Sequence, residues 1–226
     1  MRVPLETQRS FYLTLISMIQ SLAFGYLLTT ISLKDLSTPS YFLQVAGTFL
    51  VILLVWHEYA IGTMLFVWLI DFWDSTIPFG FGLIQFLLIS ALKQQDWPPS
   101  VWFYCLSAFA ALSLWAFWNQ FAKGAAHVEN HRVLSLLAHE KSRTMIYVAA
   151  SCCAFLAEGL LARSTPRNGG LFLTLVAVGT IILVFFGARG IFLYPKVMRK
   201  INTQELGPTT GALSNAVAKH AVRRKR

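Results

Sequence analysis

The chain has 226 residues, of which 56% are hydrophobic and only 13% charged, with a formal net charge of +9. Soluble domains carry about 25% charged residues, so this deficit, joined to long unbroken apolar runs, excludes a soluble globular protein and predicts an all-α, polytopic membrane helix bundle. Spanning helices take roughly 20 residues each. Several of them leave short loops and a tail, with no room for a separate soluble domain.

The N-terminus MRVPLETQRS leads into the first apolar run, Phe11–Ser32. The run is longer than a signal-peptide core and lacks a convincing small-x-small cleavage site, so a retained first span is expected. Ser10, Thr14, Ser17, Ser21 and Gly25 follow one helical face of it, with Gln20 alongside. A hydroxyl stripe of this kind either packs against neighbouring helices or lines a wet pathway. The second span is expected over Tyr41–Trp56, where Ser40, Gln44 and Thr48 make a weaker echo of the stripe. It closes on Trp56-His57-Glu58. His57 could titrate near neutral pH against Glu58, or the trio could be an interfacial cap.

The third stretch, Ala60–Leu92, is the most informative. As one helix it would measure about 50 Å, against a hydrocarbon core of about 30 Å. It must tilt, protrude or break. Pro78 removes a backbone donor and clashes with the preceding turn, and Gly80 and Gly82 lower helix propensity further, so the break is expected there. Upstream stand Asp71 and Asp74, flanked by Trp68 and Trp73, with the hydroxyls of Ser75 and Thr76 following. A carboxylate at membrane depth is costly unless it meets water, a cation or a partner. If Pro78 unwinds the chain, freed carbonyls beside two carboxylates suit a cation. The alternative is that both acids sit at a membrane edge, next to a short turn.

Three more spans are expected over Val101–Phe121, Arg143–Leu161 and Leu171–Tyr194. Between the first two of these, AHVENHRVLSLLAHEKSR reads as an amphipathic interfacial helix that dips Val133, Leu134, Leu136 and Leu137 into lipid. His127 and His131 are four apart, yet no third ligand stands at a zinc spacing, so neither a metal nor another cofactor is expected. Glu158, near the end of the fifth span, is expected to snorkel or to pair at the membrane edge. Cys105, Cys152 and Cys153 lie in apolar runs and read as small buried side chains.

Counting Lys and Arg fixes the orientation. Six spans with both termini inside place fourteen of them on the cytoplasmic side and four outside. Seven spans with an external N-terminus divide them nearly as well. The C-terminus is cytoplasmic either way, and six is preferred because each half of the broken run is short. The organisation expected is a bundle over 1–195 and a basic, flexible tail over 196–226. That tail ends in KHAVRRKR, where Lys219, Arg223, Arg224, Lys225 and Arg226 would meet anionic lipid headgroups. No aromatic interleaving or folded module accompanies these charges, so nucleic acid is not expected as a partner. No G-x-S-x-G, H-E-x-x-H or P-loop motif is present, and no enzymatic activity is expected.

Trp56-His57 at the end of the second span, Pro78-Phe79 late in the third and Arg9 ahead of the first together resemble the lysosomal potassium channel family and its bacterial six-helix relatives. The resemblance covers about a third of the chain. It implies an oligomeric cation channel with cytoplasmic termini and the Ser17 and Ser21 face near the pore. That family's first helix carries an Arg…Phe-Ser-Asp signature, whereas this chain reads Arg9-Ser10-Phe11-Tyr12 with no aspartate following.

The function expected from the sequence is a cation or proton channel, or a small-solute pathway, assembled as a homo-oligomer. Its site residues would be Asp71, Asp74 and Ser75, with Thr14, Ser17 and Ser21 beside them. The alternative is a non-transporting subunit, scaffold, assembly factor or effector of a larger membrane complex.

Overall fold

The computed structural model describes residues 5–66, 72–93, 97–127, 130–167 and 169–206, without the side chains of 5–9, 72–75, 132, 139, 198 and 200–206. Among the described residues six α-helices follow one another: α1 Leu5–Thr30, α2 Pro39–Leu65, α3 Phe72–Ser90, α4 Ser100–Ala125, α5 His131–Ala162 and α6 Gly170–Leu206. A 3-10 turn at Asp35–Ser37 joins α1 to α2. Among the described residues there is no strand. Five helices hold segments long and apolar enough to cross a membrane: Ser10–Thr30, Pro39–Leu65, Ser100–Ala125, Glu140–Ala162 and Gly170–Val197. The chain is therefore a multi-pass α-helical membrane protein by length and composition. In α3 the described apolar stretch is the shorter Thr76–Ser90.

The long apolar run is divided, but not at Pro78. Helix α2 carries on past Trp56-His57-Glu58 to Leu65, and YAIGTML holds no proline to stop it. The chain turns extended at Phe66 (φ −118°, ψ 145°), whose N–H still donates to the Gly62 carbonyl. Helix α3 then passes through Pro78, Gly80 and Gly82. Opening a helix in an apolar setting would leave still more backbone groups without partners, which is why such helices tolerate an internal proline. The two glycines serve packing. A Cβ at Gly80 would lie 3.1 Å from Leu112 on α4, and one at Gly82 would lie 2.8 Å from Ile19 on α1.

A second difference concerns the amphipathic stretch before the fifth span. It is no separate helix: α5 starts at His131 and runs unbroken to Ala162. Leu137 is buried against protein rather than dipped in lipid. Lys141 Nζ lies 5.0 Å from the Phe121 ring and 5.7 Å from the Trp118 ring, a cation–π clasp between α5 and α4. The turn between those helices is closed by Asn130, whose Nδ2 donates to the Gly124 carbonyl at 3.0 Å.

The chain divides into two compact units, Met1–Ala188 and Arg189–Arg226. In the first, Trp102 and Phe103 of α4 pack edge to face at 5.2 Å, and Phe103 meets Phe172 of α6 at 6.1 Å. On the loops, Arg167 Nη2 donates to the Trp97 carbonyl, and partial burial holds the Arg167 guanidinium below its ordinary value. In the second unit the helix continues through Pro195 to Leu206, with Ile191, Phe192, Lys196 and Arg199 exposed. The basic cluster Lys219–Arg226 lies outside the described residues.

Candidate functional site

Of the acidic pair expected to mark the site, Asp74 falls at an end of a helix. Asp71 lies outside the described residues, and Asp74 and Ser75 belong to the first turn of α3 with their side chains undescribed. A carboxylate in a first helical turn is favoured by the unpaired N–H groups there and by the helix dipole. With α3 continuous through Pro78, no turn unwound at that proline supplies carbonyls to Asp74.

The hydroxyl stripe of α1 faces away from the rest of the bundle. Tyr12, Ile16, Ile19, Ala23 and Leu27 form the buried face of α1. The stripe residues Ser10, Thr14, Ser17, Ser21 and Gly25 are each two positions earlier. At about 100° per residue that is nearly the opposite side of the helix. Ser10, Thr14 and Ser21 are exposed, and nothing lies within 4 Å of a Cβ placed on Gly25. Thr14 Oγ1 donates to the Ser10 carbonyl at 2.8 Å and Ser21 Oγ to the Ser17 carbonyl at 2.7 Å, so these hydroxyls are bonded within their own helix.

The weaker echo on α2 is the one that points inward: Ser40, Gln44 and Thr48 are all buried. Thr48 is fully enclosed. Its Oγ1 donates to the Gln44 carbonyl at 2.8 Å and accepts the Trp102 indole N–H at 3.0 Å. Between α1 and α3, Gln85 Nε2 donates to Gln20 Oε1 at 2.9 Å. Between α4 and α5, Ser107 Oγ donates to the Cys152 carbonyl at 3.0 Å while Cys152 Sγ donates to the Ser107 carbonyl at 3.4 Å. On α6, Thr180 Oγ1 reaches the carbonyls of Val176 at 2.8 Å and Leu43 at 3.3 Å. The bundle interior is thus polar in places, and nearly all of that polarity is paired.

Gln85 Oε1 and Glu158 Oε2 are exceptions among the described residues, and Glu158 is the ionisable one of the two. It does not snorkel: its side chain is buried, with 6% of its surface exposed. Gly179 of α6 makes the space it occupies. A Cβ there would stand 3.2 Å from Glu158 Oε2, 3.5 Å from the Phe155 ring and 3.6 Å from the Trp102 ring. Gly47 does the same on α2, where a Cβ would come within 3.0 Å of the Trp102 ring. The carboxyl therefore lies at a junction of α4, α5 and α6, beside the Trp102 that bonds Thr48 of α2. Its Oε2 has no hydrogen-bond partner. The signal was available in the sequence as a lone acid inside an apolar run. What it lacked was the direction of the side chain, because proximity to Arg163 suggested the membrane edge.

The His57–Glu58 contact, with Nδ1 and Oε1 3.7 Å apart, forms within α2 and not at its end. Neither a protein-family model, nor a curated protein, nor a solved structure matches the chain.

Proposed function

We propose that the protein is a six-span membrane protein that carries a cation or a proton across the bilayer as a homo-oligomer, with both termini cytoplasmic. One observation carries the reading: a carboxyl, Glu158, is enclosed in the helix bundle without a partner. Ionisable groups at membrane depth are costly, face bundle interiors and mark ion and proton routes. The sixth span is α3, whose 19 residues reach about 28 Å. The acids at 71 and 74 then stand at its cytoplasmic end, as a mouth that would concentrate cations. Kinship with the lysosomal potassium channel family belongs to this same proposal, as does contact between the tail at Lys219–Arg226 and anionic lipid.

The homo-oligomer gives the outward α1 stripe a role, because only a second copy could make Thr14, Ser17 and Ser21 line a pathway. The alternative, a non-transporting subunit, draws its support from the hydroxyls of Thr14 and Ser21, which are already bonded to their own helix and can face lipid or a partner helix. The test is ion flux from liposomes containing the purified full-length chain, read with dyes for potassium, sodium and protons. Flux above that of empty liposomes, reduced by Asp71→Asn or Asp74→Asn, is expected. Absence of flux for every ion, with a stable partner protein co-purifying, would overturn transport in favour of the alternative.

A further inference from the structure

We propose that Glu158 is a proton-binding carboxyl and that the ion this protein carries is a proton exchanging at that side chain. The inference rests on the transport reading and names its cargo. It follows from what surrounds the carboxyl.

The first consideration is cations. The parts of the bundle that meet at Glu158 are the first halves of α2, α4 and α6 and the second half of α5. The stretches 39–56, 100–122, 144–162 and 170–188 contain no Lys, Arg or His. Arg163, just beyond α5, is exposed. The ionisable groups that α2 and α4 bring to this end of the bundle are Tyr41, Tyr104 and Cys105, and α6 brings none up to Ala188. Tyr41 accepts the Ser32 N–H through its hydroxyl at 3.0 Å. The Tyr104 ring lies against Gly159, and Cys105 is buried. No protein cation among the described residues compensates a charge on Glu158.

The second consideration is metal ions. A hard cation needs about six oxygen ligands. The hydroxyls of Thr48 and Thr180, on the helices around the junction, are committed, Thr48 between Gln44 and Trp102 and Thr180 between Val176 and Leu43. Phe155, the Trp102 ring and Gly179 lie beside the carboxyl. One carboxyl against aromatic carbon is too few ligands for potassium or sodium, and enough for a proton. The step balances simply: the carboxylate takes a proton from hydronium to give the carboxylic acid and water, and returns it to water on release. Access is short on one side. Glu158 is four residues from the end of α5 at Ala162, about 6 Å along the helix axis.

The experiment treats the full-length protein in phosphatidylcholine–phosphatidylglycerol liposomes with dicyclohexylcarbodiimide, which modifies protonated carboxyls in apolar surroundings. Mass spectrometry then locates the adduct. Modification at Glu158 in preference to the exposed Glu58 is expected, with a yield that falls as the pH is raised and a matching loss of proton flux. Glu158→Gln should show neither the adduct nor the flux. Because the adduct is read on the unmutated chain, the result stands even if Glu158→Gln fails to fold. Glu158 left unmodified at every pH, or a flux of potassium or sodium that the modification leaves intact, would overturn the proton assignment while transport stands. Modification at Glu158 without flux of any ion would instead overturn the transport reading, and the cargo assignment with it.

Discussion

Three glycines of similar appearance in the sequence do different things. Gly179 leaves room for a carboxylate, Gly159 receives the ring of Tyr104, and Gly25 touches nothing. A Cβ at Gly159 would stand 2.5 Å and 2.7 Å from two ring carbons of Tyr104, so the partly buried ring or its helix would have to shift. Overpacking of this kind costs about 1–3 kcal/mol, so Gly159→Ala should lower the thermal unfolding midpoint in detergent. Gly25→Ala should leave it unchanged or raise it slightly, since alanine is the better helix former by about 1 kcal/mol. Equal losses for the two would contradict the packing described. Thr48 offers a sharper residue-level check. Thr48→Val keeps the shape but strands the buried Trp102 indole N–H, which costs about 1–3 kcal/mol, whereas Thr48→Ser keeps the acceptor and should stay close to the parent in the same melt.

At the scale of the element, helical periodicity identified faces without identifying which way they turn. Spacing of three and four residues put Ser10, Thr14, Ser17 and Ser21 together, and also Ser40, Gln44 and Thr48. Both groupings are real, yet the first faces out and the second in. The difference lies in what occupies the opposite side. On α1 it is Tyr12, Ile16 and Leu27, which bury well, with Gln20 finding its partner Gln85 on another helix. In an all-apolar chain, hydrophobicity cannot distinguish a face toward lipid from a face toward protein. The break in the long run was similarly hidden. Proline marks the end of a water-exposed helix reliably, but in α3 it is buried and carried within the helix, and the chain parts at Phe66. The Gln20–Gln85 bond predicts coupling between α1 and α3. A double-mutant cycle with Gln20→Leu and Gln85→Leu in an SDS unfolding titration should give about 0.6–2 kcal/mol of interaction energy, and additive single effects would remove that bond from the account.

For the whole molecule, composition alone established the membrane class and the helical architecture, because a 13% charged chain has few other ways to satisfy its backbone. Four of the spans lie close to where the apolar runs placed them, and Leu5–Thr30 and Ser100–Ala125 extend them only at their ends. The expected orientation comes from charge and the expected count of six from the shortness of each half of the long run, and together they predict an accessibility pattern. In a background with the three native cysteines replaced by alanine, Lys34→Cys, Lys93→Cys and Arg167→Cys should react with an impermeant maleimide added outside intact cells. Ala126→Cys, in the loop between α4 and α5, should react only after permeabilisation. Lys34→Cys reacting from the side opposite to Lys93→Cys and Arg167→Cys would remove α3 as a span.

The candidate site was only half legible. An acid inside an apolar run announces itself, and Asp71, Asp74 and Glu158 were all visible in that way. Which of them is enclosed depends on side-chain direction, on the absent side chain of Gly179 and on the lack of any cation nearby, and none of these is written in local sequence. The most direct measurement is proton uptake into liposomes driven by an imposed membrane potential, comparing the full-length protein with Glu158→Gln reconstituted at equal density. Uptake by the parent that Glu158→Gln abolishes is the expected result. Equal uptake by the two, or none by the parent, would contradict an ion route built on this buried carboxyl.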